Sequence, residues 1–118
     1  MEFAACCGPL HRGERPAATA VALMRSRFTA FALGDVDYLL ATWHPSTRPA
    51  DLDLDAEVLW RRLQIVDTEA GGEHEPTGVV QFRAQYVRDG GRHILHERSR
   101  FTRDRDGRWL YVDGDFVD

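Results

Sequence analysis

The sequence predicts an α+β domain in which helices come first and a curved antiparallel sheet follows. Apolar residues recur at helical spacing in the first half of the chain and at every second position from Leu63 onward. Two turn signals, Gly90-Gly91 and Asp106-Gly107, divide the second half into strands. The chain has 118 residues and is 43% apolar, which is the size and composition of one globular domain.

Three helices are predicted before the sheet, over residues 19–33, 35–44 and about 53–62. Thr19 and Asp35 are good N-caps, because their side-chain oxygens can accept hydrogen bonds from the first turn. Gly34 can end the first helix, and Pro45 ends the second just after His44. The third helix opens at Asp53 or Asp55, with acidic residues in its first turn and two arginines in its last turn, as the helix dipole favours.

Four strands are predicted after the helices, over residues 63–67, 79–88, 92–103 and 109–117. A turn at Gly90-Gly91 pairs four residues of the second strand with four of the third: Tyr86 with Leu95, Ala84 with Glu97, Phe82 with Ser99, and Val80 with Phe101. These eight side chains share the face that we expect the helices to cover. The opposite face is polar, so we expect solvent over Gln81, Arg83, Gln85, His96, Arg98 and Arg100.

The register of the last strand has two solutions. A five-residue loop places Tyr111 opposite Phe101 and Asp113 opposite Ser99, whereas a two-residue loop brings Val112 and Gly114 to those positions. We favour the five-residue loop, because it places Trp109 and Tyr111 on the buried face.

Composition excludes several classes of function. All 15 basic residues are arginines, so the chain has no lysine for Schiff-base chemistry or for a P-loop. The net charge of −4 argues against a nucleic-acid partner. No apolar run approaches the roughly 18 residues of a membrane span, and the N-terminus lacks the pattern of a secretory signal. We therefore expect a cytoplasmic protein that binds neither nucleic acid nor membrane.

Four motifs resemble the YchJ-type family of uncharacterised bacterial proteins: ALMRSRF at 22–28, TWHPSTRP at 42–49, HERSRF at 96–101 and WLYVDG at 109–114. The resemblance implies a cone-shaped fold, similar to nuclear transport factor 2 and the SnoaL-type polyketide cyclases, over residues 17–118. In that fold three helices would pack on the curved sheet, and many such folds pair through their sheets, so a homodimer is also implied. The fold hosts both enzymes and binding domains and therefore implies no particular reaction.

The N-terminal segment, residues 1–16, is expected to be irregular because four glycines and prolines interrupt it. Cys6 and Cys7 are adjacent, so a disulfide between them would be strained, and zinc would need further ligands. Cys6-Cys7-Gly8-Pro9 resembles the end of a SEC-C zinc motif whose first cysteine pair is absent. We expect a remnant of that motif and assign no metal ligand and no cofactor.

Glu97 is the predicted catalytic residue. The hairpin register places it on the covered face, where a carboxylate must be paired, hydrogen-bonded or neutral. Arg25 and Arg27 flank the apolar stripe of the first helix, formed by Ala20, Val21, Met24, Phe28, Phe31 and Ala32. Either arginine could reach Glu97 with two hydrogen bonds. Two interpretations stay open at this point: a structural ion pair, or a carboxylate that binds a ligand or transfers a proton.

Other polar and aromatic residues are predicted to bind a ligand beside Glu97: Arg25, Trp43, His44, Tyr86, Ser99, Tyr111 and Asp113. His44 can titrate near neutral pH, the tyrosines can donate to an oxyanion, and Asp113 can supply a second carboxylate. Each also has an ordinary structural role, as a helix-end charge, a core aromatic or a strand end. His93 and His96 lie three apart on a strand, so they point to opposite faces and cannot bind one metal ion.

Two functions follow from these residues. In the first, a pocket between the helices and the sheet binds an unknown small molecule, with Glu97 as acid or base if the protein catalyses a cofactor-free reaction. In the second, the domain is a non-enzymatic module that binds a protein, and its pocket is filled by Phe28, Phe31, Phe82 and Phe101.

Overall fold

The computed structural model describes residues 17–117. The predicted SEC-C remnant at residues 1–16 lies outside the described residues. Within the described part, two helices precede four strands: α1 (Ala20–Leu33), α2 (Val36–Ala41), β1 (Leu59–Ala70), β2 (Thr77–Arg88), β3 (Gly91–Arg103) and β4 (Trp109–Phe116). The strands form one antiparallel sheet in the order β1-β2-β3-β4. The α+β class is therefore confirmed.

Both predicted helix caps are present. Thr19 Oγ1 accepts a hydrogen bond from the backbone N–H of Ala22 at 3.1 Å, and the Asp35 carboxylate accepts one from Tyr38 N at 3.1 Å. Between them Gly34 adopts φ +74°, a left-handed conformation that glycine takes without steric cost. Two residues, Gly34 and Asp35, therefore suffice to connect α1 to α2.

The prediction of a third helix is wrong, and α2 ends at Ala41 rather than at His44. The acids before β1 cap a turn instead of a helix, since Asp55 Oδ1 accepts a hydrogen bond from Glu57 N at 2.9 Å. β1 already begins at Leu59 and pairs with β2 along its length. A short isolated helix is marginal because its first turn is costly to form, so pairing with a neighbouring strand prevailed over the local charge pattern.

The β2–β3 hairpin turns at Asp89-Gly90 and not at Gly90-Gly91. Both turn residues have positive φ, +54° and +77°, which is the geometry of a type I′ turn. Every predicted pair is consequently shifted by two residues, so that Glu97 lies opposite Phe82. Because side chains on a strand alternate with period two, this shift leaves the predicted covered face unchanged.

The register of β4 changes at a bulge, so one part of the strand follows the first predicted register and the other part follows the second. Tyr111 lies opposite Phe101, as predicted, but Gly114 rather than Asp113 lies opposite Ser99, and Val112 is the extra residue. Asp113 instead lies opposite Arg100 and accepts a hydrogen bond from Arg100 Nε at 2.6 Å. The predicted placement of Asp113 next to Glu97 is therefore wrong.

The core lies between α1 and one face of the sheet, which we call the inner face; the opposite face is the outer face. Its buried members are Ala17, Ala20, Leu23, Met24, Val80, Phe82, Ala84, Phe101 and Trp109. The buried side of α1 is wider than predicted and includes Ser26 and Arg27, whereas Ala32 is exposed. The physical reason is α2, which packs on α1 and hydrogen-bonds to both polar side chains.

Candidate functional site

A cavity of about 170 Å³ opens between α1 and the inner face. It is lined by side chains from α1, from the segment after α2 and from all four strands: Met24, Arg27, Phe28, Phe31, Trp43, Trp60, Phe82, Ala84, Leu95, Glu97, Ser99 and Tyr111. Of the predicted site residues, Glu97, Trp43, Ser99 and Tyr111 are brought together here.

The cavity has an apolar side and a polar side. Trp60 on β1 and Tyr111 on β4 belong to strands at opposite edges of the sheet. Phe28 and Phe31 of α1 contact Trp60, each with ring centroids 6.0 Å apart. Toward β3 and β4, the wall instead contains Arg27, Trp43, Glu97, Ser99 and Tyr111. A bound molecule would therefore meet aromatic rings on one side and hydrogen-bonding groups on the other.

Glu97 is held in one orientation by two neighbours. Ser99 Oγ donates a hydrogen bond to Glu97 Oε2 at 2.5 Å. Gly114 lies directly beneath the carboxyl group, because a Cβ atom at that position would be 2.6 Å from Oε2. Gly114 was not among the predicted site residues, although a glycine inside a strand is a known signal of close approach by another group.

Arg27 is the arginine that reaches the cavity. It is 2% exposed, and its Nη1 donates to Leu39 O at 2.8 Å and to Thr42 Oγ1 at 2.7 Å. Its guanidinium lies 4.7 Å from the ring centre of Tyr111 and 5.1 Å from that of Trp43. Burial lowers the pKa of Arg27 to about 10, so the group remains charged at neutral pH.

Arg25, by contrast, is exposed and lies outside the cavity wall. Residues two apart on an α-helix point about 200° away from each other, so only one of the two arginines can face the sheet. The sequence pattern placed them equally far from the centre of the apolar stripe. Packing of α2 against α1 selects Arg27, because the acceptors for its guanidinium are Leu39 O and Thr42 Oγ1.

The predicted ion pair between a helix arginine and Glu97 is not formed. Among residues 17–117, no arginine nitrogen lies within 4.0 Å of the Glu97 carboxylate, although Glu97 raises the pKa of Arg27 through its charge. The pKa of Tyr111 is raised to about 12, mainly by burial and further by the charge of Glu97. Tyr111 is therefore a neutral phenol at physiological pH and can donate a hydrogen bond.

Trp43 supplies an unusual donor to this side of the cavity. Its ring meets Tyr111 edge to face with centroids 5.2 Å apart, and a parallel bridge joins the two backbones. The indole Nε1 is buried and has no hydrogen-bond partner, and it is the only such side-chain atom in the described part of the chain. Buried polar atoms are normally paired, so this one requires an explanation.

The remaining predicted residues lie elsewhere. Tyr86 stacks on His93 with centroids 5.1 Å apart and is not in the cavity wall. His44 hydrogen-bonds through Nδ1 to Ser46 Oγ at 2.8 Å and lines a separate, wider depression of about 1090 Å³. His96 contacts Gln81 on the outer face, so His93 and His96 are on opposite faces, as predicted. Asp113 is on the outer face as well, paired with Arg100.

Neither a membrane-spanning helix nor a metal-ligand cluster occurs in residues 17–117. No helix there is long and apolar enough to cross a membrane. No three His, Cys, Asp or Glu side chains come together in a way that would hold a metal ion.

The chain is similar to several bacterial proteins, and it has the same fold as two solved structures. A UPF0225 protein of Streptomyces coelicolor is 57% identical over 113 residues, which cover 96% of this chain and 87% of the relative. A UPF0225 protein of Deinococcus radiodurans is 50% identical over 111 residues, covering 94% of this chain and 80% of the relative. The solution structure of a SEC-C motif containing protein from Rhodopseudomonas palustris superposes with a TM-score of 0.84 at 37% identity, covering 98% of this chain and 92% of that one.

A second solved structure has the same fold. The crystal structure of a SEC-C motif containing protein from Psychrobacter arcticus gives a TM-score of 0.80 at 27% identity and covers 100% of this chain and 74% of that one. The family described as "YchJ, middle NTF2-like domain" matches residues 19–114. The resemblance inferred from the four sequence motifs is thus confirmed, and the chain belongs to the UPF0225, or YchJ-like, family through this NTF2-like domain.

Proposed function

We propose that the cavity binds a small organic molecule and that Glu97 exchanges a proton with it. The observation that supports this most strongly is the state of the Glu97 carboxylate. Its Oε2 is fixed by Ser99, while Oε1 has no hydrogen-bond partner in residues 17–117. Glu97 is half-buried and lines the cavity, so a ligand there can reach its carboxylate. A carboxylate that is oriented by one oxygen and free at the other is suited to general acid–base work.

Arg27 provides the charge that such a reaction needs. When a base removes a proton from carbon next to a carbonyl group, negative charge develops on the carbonyl oxygen. A buried cation that is already in place stabilises this charge without rearrangement. Within residues 17–117, Arg27 forms hydrogen bonds only through Nη1, so we expect Nε and Nη2 to serve a ligand oxygen. Glu97 would take the proton and return it to another atom of the same molecule, so no cofactor is required.

Native mass spectrometry of gently purified protein tests this proposal. We expect a small molecule to remain bound to the wild type and to be lost from Glu97→Gln, whose circular dichroism stays that of a folded domain. Glu57→Gln is the matched control, because Glu57 is exposed and lies outside the cavity wall. A bare-chain mass for the wild type, combined with no thermal shift by any compound of a fragment library, would contradict the proposal.

A protein-interaction module is a second candidate, supported by an apolar patch on the outer face. Leu59 is 51% exposed and pairs with Val87, and Ile94, which is 61% exposed, lies diagonally across from Val87. Exposed apolar patches mark contact sites for other proteins, and two copies of this chain could meet here. If they do, Ile94→Arg converts a dimer into a monomer in light scattering. The filled-pocket version of this hypothesis is not favoured, because Phe28, Phe31 and Phe82 line a cavity.

A further inference from the structure

The charges around the cavity restrict which ligand it can accept. This inference rests on the proposed function and concerns the chemistry of the bound molecule. Arg27 is 2% exposed and bears a positive charge, and Glu97 bears a negative one in the same wall. Together they have no net charge. An anionic ligand would place a second negative charge near Glu97, and a cationic ligand would place a second positive charge near Arg27. Either ligand would give the cavity a net charge, which is costly in a site that is partly shielded from water.

The gap between the two charged groups indicates how a ligand would contact them. The Arg27 guanidinium and the Glu97 carboxylate form no ion pair within 4.0 Å, yet they are near enough for the charge of Glu97 to raise the pKa of Arg27. Arg27 can only donate hydrogen bonds, and the Glu97 carboxylate can only accept them. A ligand that joins them therefore needs an acceptor atom for Arg27 and a donor atom for Glu97, located close together.

The size and lining of the cavity limit the rest of the molecule. A cavity of roughly 150 Å³ holds a molecule the size of benzene, and this one measures about 170 Å³. Its apolar side is formed largely by aromatic rings, namely Phe28, Phe31, Trp60 and Phe82. Such rings pack against a flat ring by stacking or edge contacts. There is room for one six-membered ring with a small substituent.

We propose that the ligand is an uncharged single-ring compound that presents an oxygen acceptor to Arg27 and an N–H or O–H donor, on a neighbouring atom, to Glu97. A cyclic amide is the simplest example. Proton transfer to Glu97 preserves the balance of charge: the carboxylate becomes neutral, and the negative charge moves to the ligand oxygen beside Arg27. The net charge of the filled site is zero before and after the step.

The test uses the full chain, nitrogen-15 NMR titration and four probes of similar size: 2-pyridone, benzoate, benzylammonium and toluene. We expect 2-pyridone to shift resonances of cavity residues, including the Trp43 indole, and to bind about tenfold or more tightly than the other three. In Glu97→Gln the order of affinities among the four probes should change. The affinity for 2-pyridone should fall about tenfold, because a charge-assisted hydrogen bond becomes a neutral one. The affinity for benzoate should rise, because Arg27 is then uncompensated. Glu57→Gln should behave as the wild type.

Different failures have different meanings. If benzoate or benzylammonium binds the wild type more tightly than 2-pyridone, the inference of a neutral ligand is overturned while the proposed pocket remains. If toluene binds as tightly as 2-pyridone, the cavity selects only for apolar surface, which also overturns the inference. If Glu97→Gln weakens every probe equally, the role of Glu97 is structural. If none of the four probes binds at millimolar concentration, the proposed function itself fails.

Discussion

The two faces of the sheet use the same charged residue types in opposite ways. On the outer face, Arg98 lies 3.1 Å from Asp67 and 3.0 Å from Glu69. Arg100 there lies 2.6 Å from one acid of β4, Asp113, and 2.8 Å from another, Asp115. On the inner face, Arg27 and Glu97 share one cavity and form no ion pair.

This difference matters because exposed and buried charges have different energetic costs. Exposed ion pairs contribute little to stability because water and salt screen them. A buried, unpaired charge is costly, so a fold retains one only where the surroundings compensate for it or where it serves a purpose. The charged residues of the outer face are therefore paired in solvent, whereas Arg27 and Glu97 on the inner face line the cavity that we propose as a binding site.

Removing the buried cation should have the largest effect. Arg27→Met deletes one buried and one half-buried hydrogen bond and removes the positive charge nearest the cavity from beside Glu97. We expect it to lower the free energy of unfolding by about 3–5 kcal/mol, because a hydrogen bond to a charged group contributes about 1.5–3 kcal/mol and two are lost. Urea denaturation at pH 7 measures this. Arg25→Met is the matched control and should change stability by less than about 0.5 kcal/mol, since Arg25 is exposed. Equal stability of the two variants would show that the buried arginine contributes no more to stability than the exposed one, which would contradict the contrast between the faces.

The next effect concerns the fit between Gly114 and Glu97. Gly114→Ala places a methyl group 2.6 Å from Glu97 Oε2 and should destabilise the domain by about 1–3 kcal/mol. In the Glu97→Ala background the same change should be harmless or slightly stabilising, because alanine suits a strand better than glycine. A double-mutant cycle measures the coupling, which we expect to exceed about 0.5 kcal/mol. Additive effects would mean that Gly114 does not make room for the carboxyl group.

Alkaline pH should distinguish the two faces, because among residues 17–117 the inner face carries Arg27 and Tyr111, whose pKa values are shifted to about 10 and about 12. The pKa of Tyr111 is raised to about 12 in the folded protein, so its neutral phenol stabilises the folded state fully at pH values below the unfolded-state pKa near 10. This stabilisation is lost as pH rises toward 12. Burial lowers the pKa of Arg27 to about 10, so the free-energy cost of burying its charge falls as pH rises above 10. With rising pH, Tyr111 therefore lowers the free energy of unfolding, whereas Arg27 raises it. Tyr111→Phe removes the loss due to Tyr111, so this variant should gain stability relative to the wild type as pH rises from 9 to 11. A constant difference between the two chains would contradict this.

The smallest effect is expected on the outer face. Arg100→Met removes a side chain whose two acidic partners raise its pKa. Because all three groups are exposed, we expect a small shift in the urea midpoint at low salt and no shift in 1 M NaCl. A loss that persists in 1 M NaCl would show that the outer ion pairs matter structurally, which would erase the contrast between the faces.

Local sequence rules were sufficient for the class of fold and for the position of Glu97 on the covered face. The alternation of apolar and polar residues in β2 and β3 identifies the two faces, and this assignment survives a two-residue error at the turn because the pattern has period two. The caps at Thr19 and Asp35 involve atoms only three residues apart, so they too follow from local sequence.

The features that local rules missed depend on contacts between residues distant in the chain. Pairing with β2 made residues 59–62 a strand although their charges favour a helix. The bulge at Val112 moved Asp113 to the outer face and Gly114 under Glu97. Packing of α2 turned Arg27 rather than Arg25 toward the cavity. Each outcome is decided by hydrogen bonds and packing that form only when the elements come together. The pattern of residues along one segment therefore cannot predict these contacts.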